Sequence, residues 1–312
     1  MASNPTVRPL HPLFAAELTG IDLGTAIAAT DARQAVAQSV SQAVSQAVTQ
    51  AMDQFAVVVL PGQGLDDEKQ IAFASLYGPL EVAPPVRGKN GDAVAGRRIR
   101  HKEIFDVSNL DENGNILDFD DQRRAYGQGN QLWHTDSSFR QKSATWSLLH
   151  ARVIPPDGGD TDFADTRAAY DALPEAMKGR LEGLIAEHSI WHSRAQLGGY
   201  TPTEEERKAR PPAYHPVVRL HPGSGRKALY IASHASHIVG WPVDEGRALL
   251  RELLEFATRP QFVYSHKWRL GDLVIWDNRC TLHRATPFAS ATEVRDLRRT
   301  TVIDVRAEAA AG

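Results

Sequence analysis

Short apolar runs bounded by turn residues recur along this chain. Phe55 to Leu60 (FAVVVL) is apolar throughout and stops at Pro61-Gly62, the pattern of a buried strand. Thr145 to Ile154, Thr161 to Ala164 and Arg298 to Val305 read as further strands. Val217 to Leu220 and Ala228 to Ala232 flank Pro222-Gly223-Ser224-Gly225, which predicts a hairpin. Gln261 to Trp268 and Leu273 to Trp276, joined through Gly271-Asp272, predict another. Helices interrupt this pattern. Asp66 caps one that runs to Tyr77, with Gly78 as its stop, and others are expected over Thr166 to Leu173, Pro174 to Leu184 and Asp244 to Thr258. Many short strands with a few helical insertions predict a mostly β fold with a double-sheet core of jelly-roll type. No linker divides the chain, so residues 1–312 are expected to form one domain.

Two stretches depart from the pattern. Residues 35–54 are five near-copies of a four-residue unit, AVAQ, SVSQ, AVSQ, AVTQ and AMDQ. Ala and Gln favour helix, and a period of four lets the apolar stripe drift around a helix of 3.6 residues per turn. A helical extension packed on its own domain is the favoured reading over a partner-binding helix. Residues 84–130 are rich in Gly and Pro and carry Arg87, Lys89, Arg97, Arg98, Arg100 and Lys102. A long polar loop of this kind predicts a lid over a substrate site.

Composition narrows the function classes. Hydrophobic residues make up 42% of the 312, enough for a large core, and the net charge is −3. That balance points to neither nucleic acid nor an acidic membrane surface as the main partner, so attraction for an anion must be local. Cys280 is the one cysteine, which excludes an internal disulfide. Met1 to Leu10 has no apolar h-region, and no apolar run is long enough to cross a bilayer, so a cytoplasmic protein is expected. A homo-oligomer is the general expectation for such a chain.

Candidate chemistry lies in two segments. Trp133-His134-Thr135-Asp136 puts a histidine and a carboxylate two residues apart, which on an extended strand share one face. Trp276-Asp277-Asn278-Arg279-Cys280-Thr281-Leu282-His283 places a second histidine just beyond an apolar strand. His134, Asp136 and His283 would make the two-imidazole, one-carboxylate triad of non-haem Fe(II) oxygenases. Three protein ligands leave three positions on an octahedral ion, two for a bidentate 2-oxo acid and one for O₂. In a chain with 12 histidines the triad is not specific alone, since a satisfied core histidine beside a capping aspartate reads the same way. Its companions raise it. The distal carboxylate of 2-oxoglutarate needs a cation, for which an arginine is suited, and a hydroxyl. Arg295 and Arg299 follow His283, and on a strand they would share a face, one for the cosubstrate and one for a substrate acid group. Thr161, after Pro155-Pro156-Asp157-Gly158-Gly159-Asp160, is the hydroxyl candidate.

Five stretches spanning nearly the whole chain carry a resemblance: LHPLFAAEL at 10–18, NQLWHTDSSF at 130–139, PPDGGDTDFADTRAAYDALP at 155–174, HPGSGRKALYIASHASHIVG at 221–240 and GDLVIWDNRCTLHRA at 271–285. The chain resembles the taurine dioxygenase / 2,4-dichlorophenoxyacetate dioxygenase family of Fe(II)- and 2-oxoglutarate-dependent oxygenases, most closely its phenoxyacetate branch. The resemblance implies a double-stranded β-helix with helical insertions. It implies His134, Asp136 and His283 as iron ligands, Thr161 and Arg295 on 2-oxoglutarate, and Arg299 on the substrate's acid group. Asn130, Ser138 and His237 would be pocket residues. His234-Ala235-Ser236-His237 lacks the glutamate of a zinc HExxH site.

The implied reaction turns 2-oxoglutarate and O₂ into succinate and CO₂ while hydroxylating a small organic anion. Hydroxylation of a carbon bearing an ether oxygen gives a hemiacetal, which falls apart to a phenol and glyoxylate. Asp136 argues for hydroxylation over halogenation, which requires Gly or Ala at that position. Within the family, taurine, another alkylsulfonate or an alkyl sulfate is the alternative to an aryloxyalkanoate. The Gln-rich tract, the arginines at 84–104 and the lack of a lysine near Asn115 depart from the relatives where substrate is chosen. Outside the family, a zinc hydrolase would use the same triad without 2-oxoglutarate. A non-catalytic β-barrel binding protein would have no reason to converge these three side chains.

Overall fold

A computed structural model describes residues 5–26, 42–84, 98–196 and 202–305. Strands β1 (Thr6–Pro9) and β2 (Ala16–Thr19) form a hairpin, followed by α1 (Gln42–Phe55), β3 (Val57–Leu60) and α2 (Asp67–Ser75). Strand β4 (Phe105–Ser108), α3 (Gln122–Gly127) and a 3₁₀ turn at Gln128–Gln131 lead to β5 (Ala144–Val153) and β6 (Thr161–Asp165). Next come α4 (Thr166–Asp171), α5 (Glu175–Leu181), β7 (Ile185–His188), α6 (Ile190–Gln196), α7 (Glu204–Ala209) and β8 (Ala213–Pro216). The chain continues through β9 (Val218–Leu220), β10 (Lys227–Leu229), β11 (Ala235–Ile238) and α8 (Val243–Ala257). It then forms β12 (Val263–His266), β13 (Leu273–Asp277), β14 (Thr281–Ala285) and β15 (Asp296–Ile303).

A seven-stranded sheet in the order β1-β2-β3-β13-β5-β15-β4 forms the base. A three-stranded sheet, β12-β6-β14, faces it. The alternation of side chains explains the layering. Val58, Leu60, Leu148, Leu273 and Ile275 point to one face of the large sheet, where α1 and α2 cover them with Val48, Met52 and Phe73. Val57, Val59, Leu149, Val274 and Trp276 point to the other face and meet Phe163 of β6. Because β13 is covered on both faces, all five of its residues are buried, and Leu273 to Trp276 read as a continuous apolar run that ends at Asp277.

The structure corrects several expectations. Strands β12 and β13 are not a hairpin: β12 pairs with β6, whereas β13 lies between β3 and β5 in the other sheet. The turn at Gly271 therefore crosses from one layer to the next. Phe55 ends α1 instead of opening β3, and Ala56 makes the break at φ 58°. Residues 84–130 are not one loop. Of these, 85–97 lie outside the described residues, while β4 adds an edge strand to β15 and α3 a helix. Of the Gln-rich tract, 35–41 lie outside the described residues. The rest is α1, whose Val44, Val48 and Met52 turn into the core while Gln46, Gln50 and Gln54 are exposed.

At the end of β13 the fully buried Asp277 accepts hydrogen bonds from Trp146 Nε1 (2.9 Å) and Arg279 Nε (2.9 Å), with His221 Nε2 at 3.0 Å. Burial opposes the charge, but Arg279 and His221 hold this carboxyl well below the ordinary range. Cys280 and His221 lie close enough to share a cation with it, yet the carboxylate is already neutralised by Arg279. The cluster is a structural knot tying β5 and the turn after β13 together.

Several buried histidines are held neutral. His150 Nε2 bonds the Gln63 carbonyl (2.7 Å) and His215 Nε2 the Ser138 carbonyl (2.8 Å). Burial, aided by Arg152 and Arg219 respectively, lowers each to about 4. The unfolded chain takes up these protons near 6.5 and the folded chain refuses them until about 4. Stability is therefore complete above that window and falls as pH drops through it, by up to about 1.4 kcal/mol per pH unit for each group. Urea unfolding midpoints should fall between pH 7 and pH 5, and His150→Gln should show a shallower decline than the wild type.

Candidate metal centre and cavity

His134 and His283 exchange backbone hydrogen bonds, His134 N to His283 O at 3.0 Å and His283 N to His134 O at 2.7 Å. This isolated bridge sets the two imidazoles side by side, with ring centroids 4.1 Å apart. His283 lies within β14, and Trp276 packs against its ring at 4.7 Å. His134 lies on no extended strand, so strand alternation does not bring Asp136 beside it. A turn does, in which Ser137 takes the left-handed φ of 57°. Thr135 turns away and donates to the Asn278 carbonyl (2.6 Å).

Asn278 holds this turn in place. Its Oδ1 accepts from the Asp136 backbone N–H (3.0 Å) and Trp276 Nε1 (3.0 Å), and its Nδ2 donates to Ser147 Oγ (3.0 Å). Ser147 Oγ in turn donates to Asp136 Oδ2 (2.7 Å). Arg299 Nη1 donates to Asp136 Oδ1, and the guanidinium lies over the Phe105 ring. Neither Asn278 nor Ser147 stood out in the sequence, although Asn278 sits inside the Trp-Asp-Asn run before His283.

The donor set fits a divalent cation. One ligand atom from each of His134, Asp136 and His283 lies within 4.8 Å of the others, and all three residues are buried. His134 Nδ1 is 2.7 Å from the Leu132 carbonyl, so Nδ1 carries the proton and Nε2 the free lone pair. His283 Nε2 is 3.7 Å from Asp136, and its Nδ1 is buried with no hydrogen-bond partner. Burial lowers both imidazoles and keeps them neutral. It also opposes ionisation of Asp136, but Arg299 and the two histidines outweigh it, so the carboxyl lies below its ordinary range. Two neutral imidazoles and one carboxylate, all buried, are an N,N,O donor set of the kind that binds a divalent cation.

The triad opens on a cavity of about 590 Å³ between the two sheets, within the range of small-ligand sites. Thr161, Asn130, Arg295 and Arg299 line it. Thr161 starts β6, and its Oγ1 accepts from Trp268 Nε1 (3.0 Å). Arg295 is buried, and its Nε donates to the Gly159 carbonyl (3.0 Å). Gly159 has φ +68°, and a Cβ there would stand 3.1 Å from Arg295 Cδ, so a bare backbone is needed where arginine crosses. Arg295 makes no ion pair with a described residue. Burial lowers its guanidinium to about 10 and leaves it charged at neutral pH. Arg295 precedes β15, and a bulge separates it from Arg299, so strand alternation does not unite this pair.

Two expected pocket residues lie elsewhere. His237 on β11 is partly exposed, bonded to Ser236 Oγ (2.9 Å), and does not line the cavity. Ser138 is buried behind the wall, 3.1 Å from His234 Nδ1. The histidine that does line it is His234, whose ring is 6.0 Å from that of His134. Of the two histidines, His234 lies in the turn before β11 and His237 on the strand itself, and only the folded turn decides which faces inward. Arg194 on α6, also unforeseen, joins the wall.

A sheet-rich core holding a buried N,N,O donor set beside an arginine-lined cavity is the arrangement of an iron- and 2-oxoglutarate-dependent dioxygenase. The chain belongs to the taurine catabolism dioxygenase TauD, TfdA family, whose model matches residues 6–301. It is 46% identical to the alpha-ketoglutarate-dependent 2,4-dichlorophenoxyacetate dioxygenase of Cupriavidus pinatubonensis, over 95% of this chain and 96% of that one. An enzyme of the same description from a Burkholderia species is also 46% identical, over 95% and 94%. The crystal structure of AAD-2 in complex with Mn(II) and N-oxalylglycine superposes with a TM-score of 0.83 at 40% identity, covering 97% of this chain and 98% of that one. These findings set aside the zinc hydrolase and the non-catalytic barrel.

Binding of a divalent ion to these groups stabilises the folded state by mass action, about 2.7 kcal/mol at a hundredfold excess over Kd. Anaerobic Fe(II) or Mn(II) should therefore raise the unfolding temperature of the wild type and leave that of Asp136→Ala unchanged.

Proposed function

We propose that the protein oxidises aryloxyalkanoates such as 2,4-dichlorophenoxyacetate, with His134, Asp136 and His283 holding Fe(II). The carrying observation is the buried donor set opening on a cavity in which Arg295 lies buried without an ion pair to a described residue. Bound iron supplies the O₂ chemistry that couples decarboxylation of 2-oxoglutarate to hydroxylation of the substrate. The chain's own residues bind and orient. Arg295 and Thr161 hold the distal carboxylate of 2-oxoglutarate, and Asn130 lines its pocket. The Leu132 carbonyl fixes the His134 tautomer, and Asn278 with Ser147 aims Asp136. Arg299 faces the substrate's acid group with Nη2, which donates no hydrogen bond among the described residues, while Nη1 stays on Asp136. Burial of the triad excludes water from the reacting carbon. Hydroxylation next to the ether oxygen yields a hemiacetal that separates into a phenol and glyoxylate, beside succinate and CO₂.

The two facing sheets are read as the halves of a double-stranded β-helix in a single domain. Among the described residues no helix is long and apolar enough to cross a membrane. The lone cysteine is buried, so a cytoplasmic setting suits its thiol chemistry. A homo-oligomer stays the expectation for this chain.

The assay is succinate formation by Fe(II)-loaded protein with 2-oxoglutarate and O₂, with and without 2,4-dichlorophenoxyacetate. Phenol release matching succinate, absent in Asp136→Ala, is expected. Succinate coupled instead to an alkylsulfonate or alkyl sulfate would replace the substrate assignment.

A further inference from the structure

Two guanidinium groups in the cavity wall are buried and make no ion pair with a described residue. One is Arg295, assigned above to the cosubstrate. The other is Arg194 on α6, which is 9% exposed. It forms no ion pair and donates no hydrogen bond to a described residue, and its Nε is buried without a partner. Three other arginines of the wall are ion-paired, Arg98 with Asp106 and Asp296, Arg123 with Asp121 and Glu112, and Arg299 with Asp136, while Arg124 and Arg210 are only half-buried. A buried charge left alone is unfavourable, so Arg194 marks a place suited to an anion.

The position is built. The guanidinium stacks on the Tyr126 ring, 4.1 Å from its centroid. It also occupies the space beside Gly129, where a Cβ would stand 1.1 Å from Nη1. Stacking and close backbone approach orient the planar fork and leave its donors to the cavity. The wall that carries it, α6 with the 3₁₀ turn at Gln128–Gln131, is separate from the Gly159 turn that holds Arg295. Arg194, Arg299 and His134 line the same cavity.

We propose that Arg194 is a second cationic contact for the acid group of the substrate, and therefore a residue that selects anionic over neutral substrates. The inference rests on the reading that a small organic acid is oxidised in this cavity. A carboxylate offers two oxygens, one for Arg299 from β15 and one for Arg194 from α6.

The test is calorimetric binding of phenoxyacetate and of 2-phenoxyethanol, its neutral counterpart, to anaerobic holoenzyme carrying 2-oxoglutarate. Arg194→Gln should weaken phenoxyacetate by about 10- to 100-fold, the loss of a charge-assisted contact, and leave 2-phenoxyethanol and 2-oxoglutarate unchanged. Arg194→Lys should recover part of the loss. Gly129→Ala keeps the charge but displaces it, so it should lower the acid-to-alcohol preference in the same direction, and it reads the proposal if Arg194→Gln fails to fold. Equal weakening of acid and alcohol would reduce Arg194 to packing and overturn the inference. A fall in 2-oxoglutarate affinity would move it to the cosubstrate and do the same. Wild-type protein that prefers the acid, with that preference intact in both variants, overturns this inference alone. Wild-type protein that binds neither ligand overturns the functional reading along with it.

Discussion

Two backbone hydrogen bonds between His134 and His283 carry the site. They join the turn before β5 to the middle of β14 and fix the spacing of two imidazoles that belong to distant parts of the chain. Main-chain pairing is stiffer than any side-chain contact that could do the same, and burial strengthens it. Asn278 extends the same lock to Asp136 through one side-chain amide that bonds a backbone N–H, an indole and a hydroxyl. A one-residue shift of β14 would turn His283 outward and lose the donor set altogether.

Electrostatics around this lock follow from exclusion of water. Burial makes both histidines neutral, as a metal ligand must be, and Arg299 keeps Asp136 ionised where burial alone would protonate it. The same exclusion makes an unmatched guanidinium informative. Arg295 and Arg194 are buried in the cavity wall without an ion pair to a described residue, and a site that turns over two organic anions has a use for both. The net charge of the whole chain contains no trace of this, because the attraction is confined to one wall.

Support for the cavity comes from outside it. The Asp277 knot anchors the end of β13 just before Asn278, so the residue that aims Asp136 inherits its position from a buried ion pair. On the other side, the left-handed Gly158-Gly159 turn lets the backbone approach Arg295 and places Thr161 at the mouth of β6. Substitutions at such positions act on binding through geometry, without touching a ligand.

By itself, the sequence determined the elements with strong periodicity and the chemistry carried by residue type. Strands β5, β6, β13 and β15 and helices α2 and α8 were legible to within a few residues, because apolar runs and caps are local signals. His134, Asp136, His283, Thr161 and Arg295 were legible as candidates through their spacing and their family resemblance. Only the tertiary structure decided which layer each strand joined, so β12 and β13, adjacent in the chain, were misread as partners. It also decided that His234, in the turn before β11, and not His237 on that strand, faces the cavity, because a turn residue follows no alternation pattern that the sequence reveals. Asn278 and Arg194 were invisible for one physical reason. An amide or a guanidinium has the same sequence signature exposed or buried, and only the packed fold shows which neighbours it has and which it lacks.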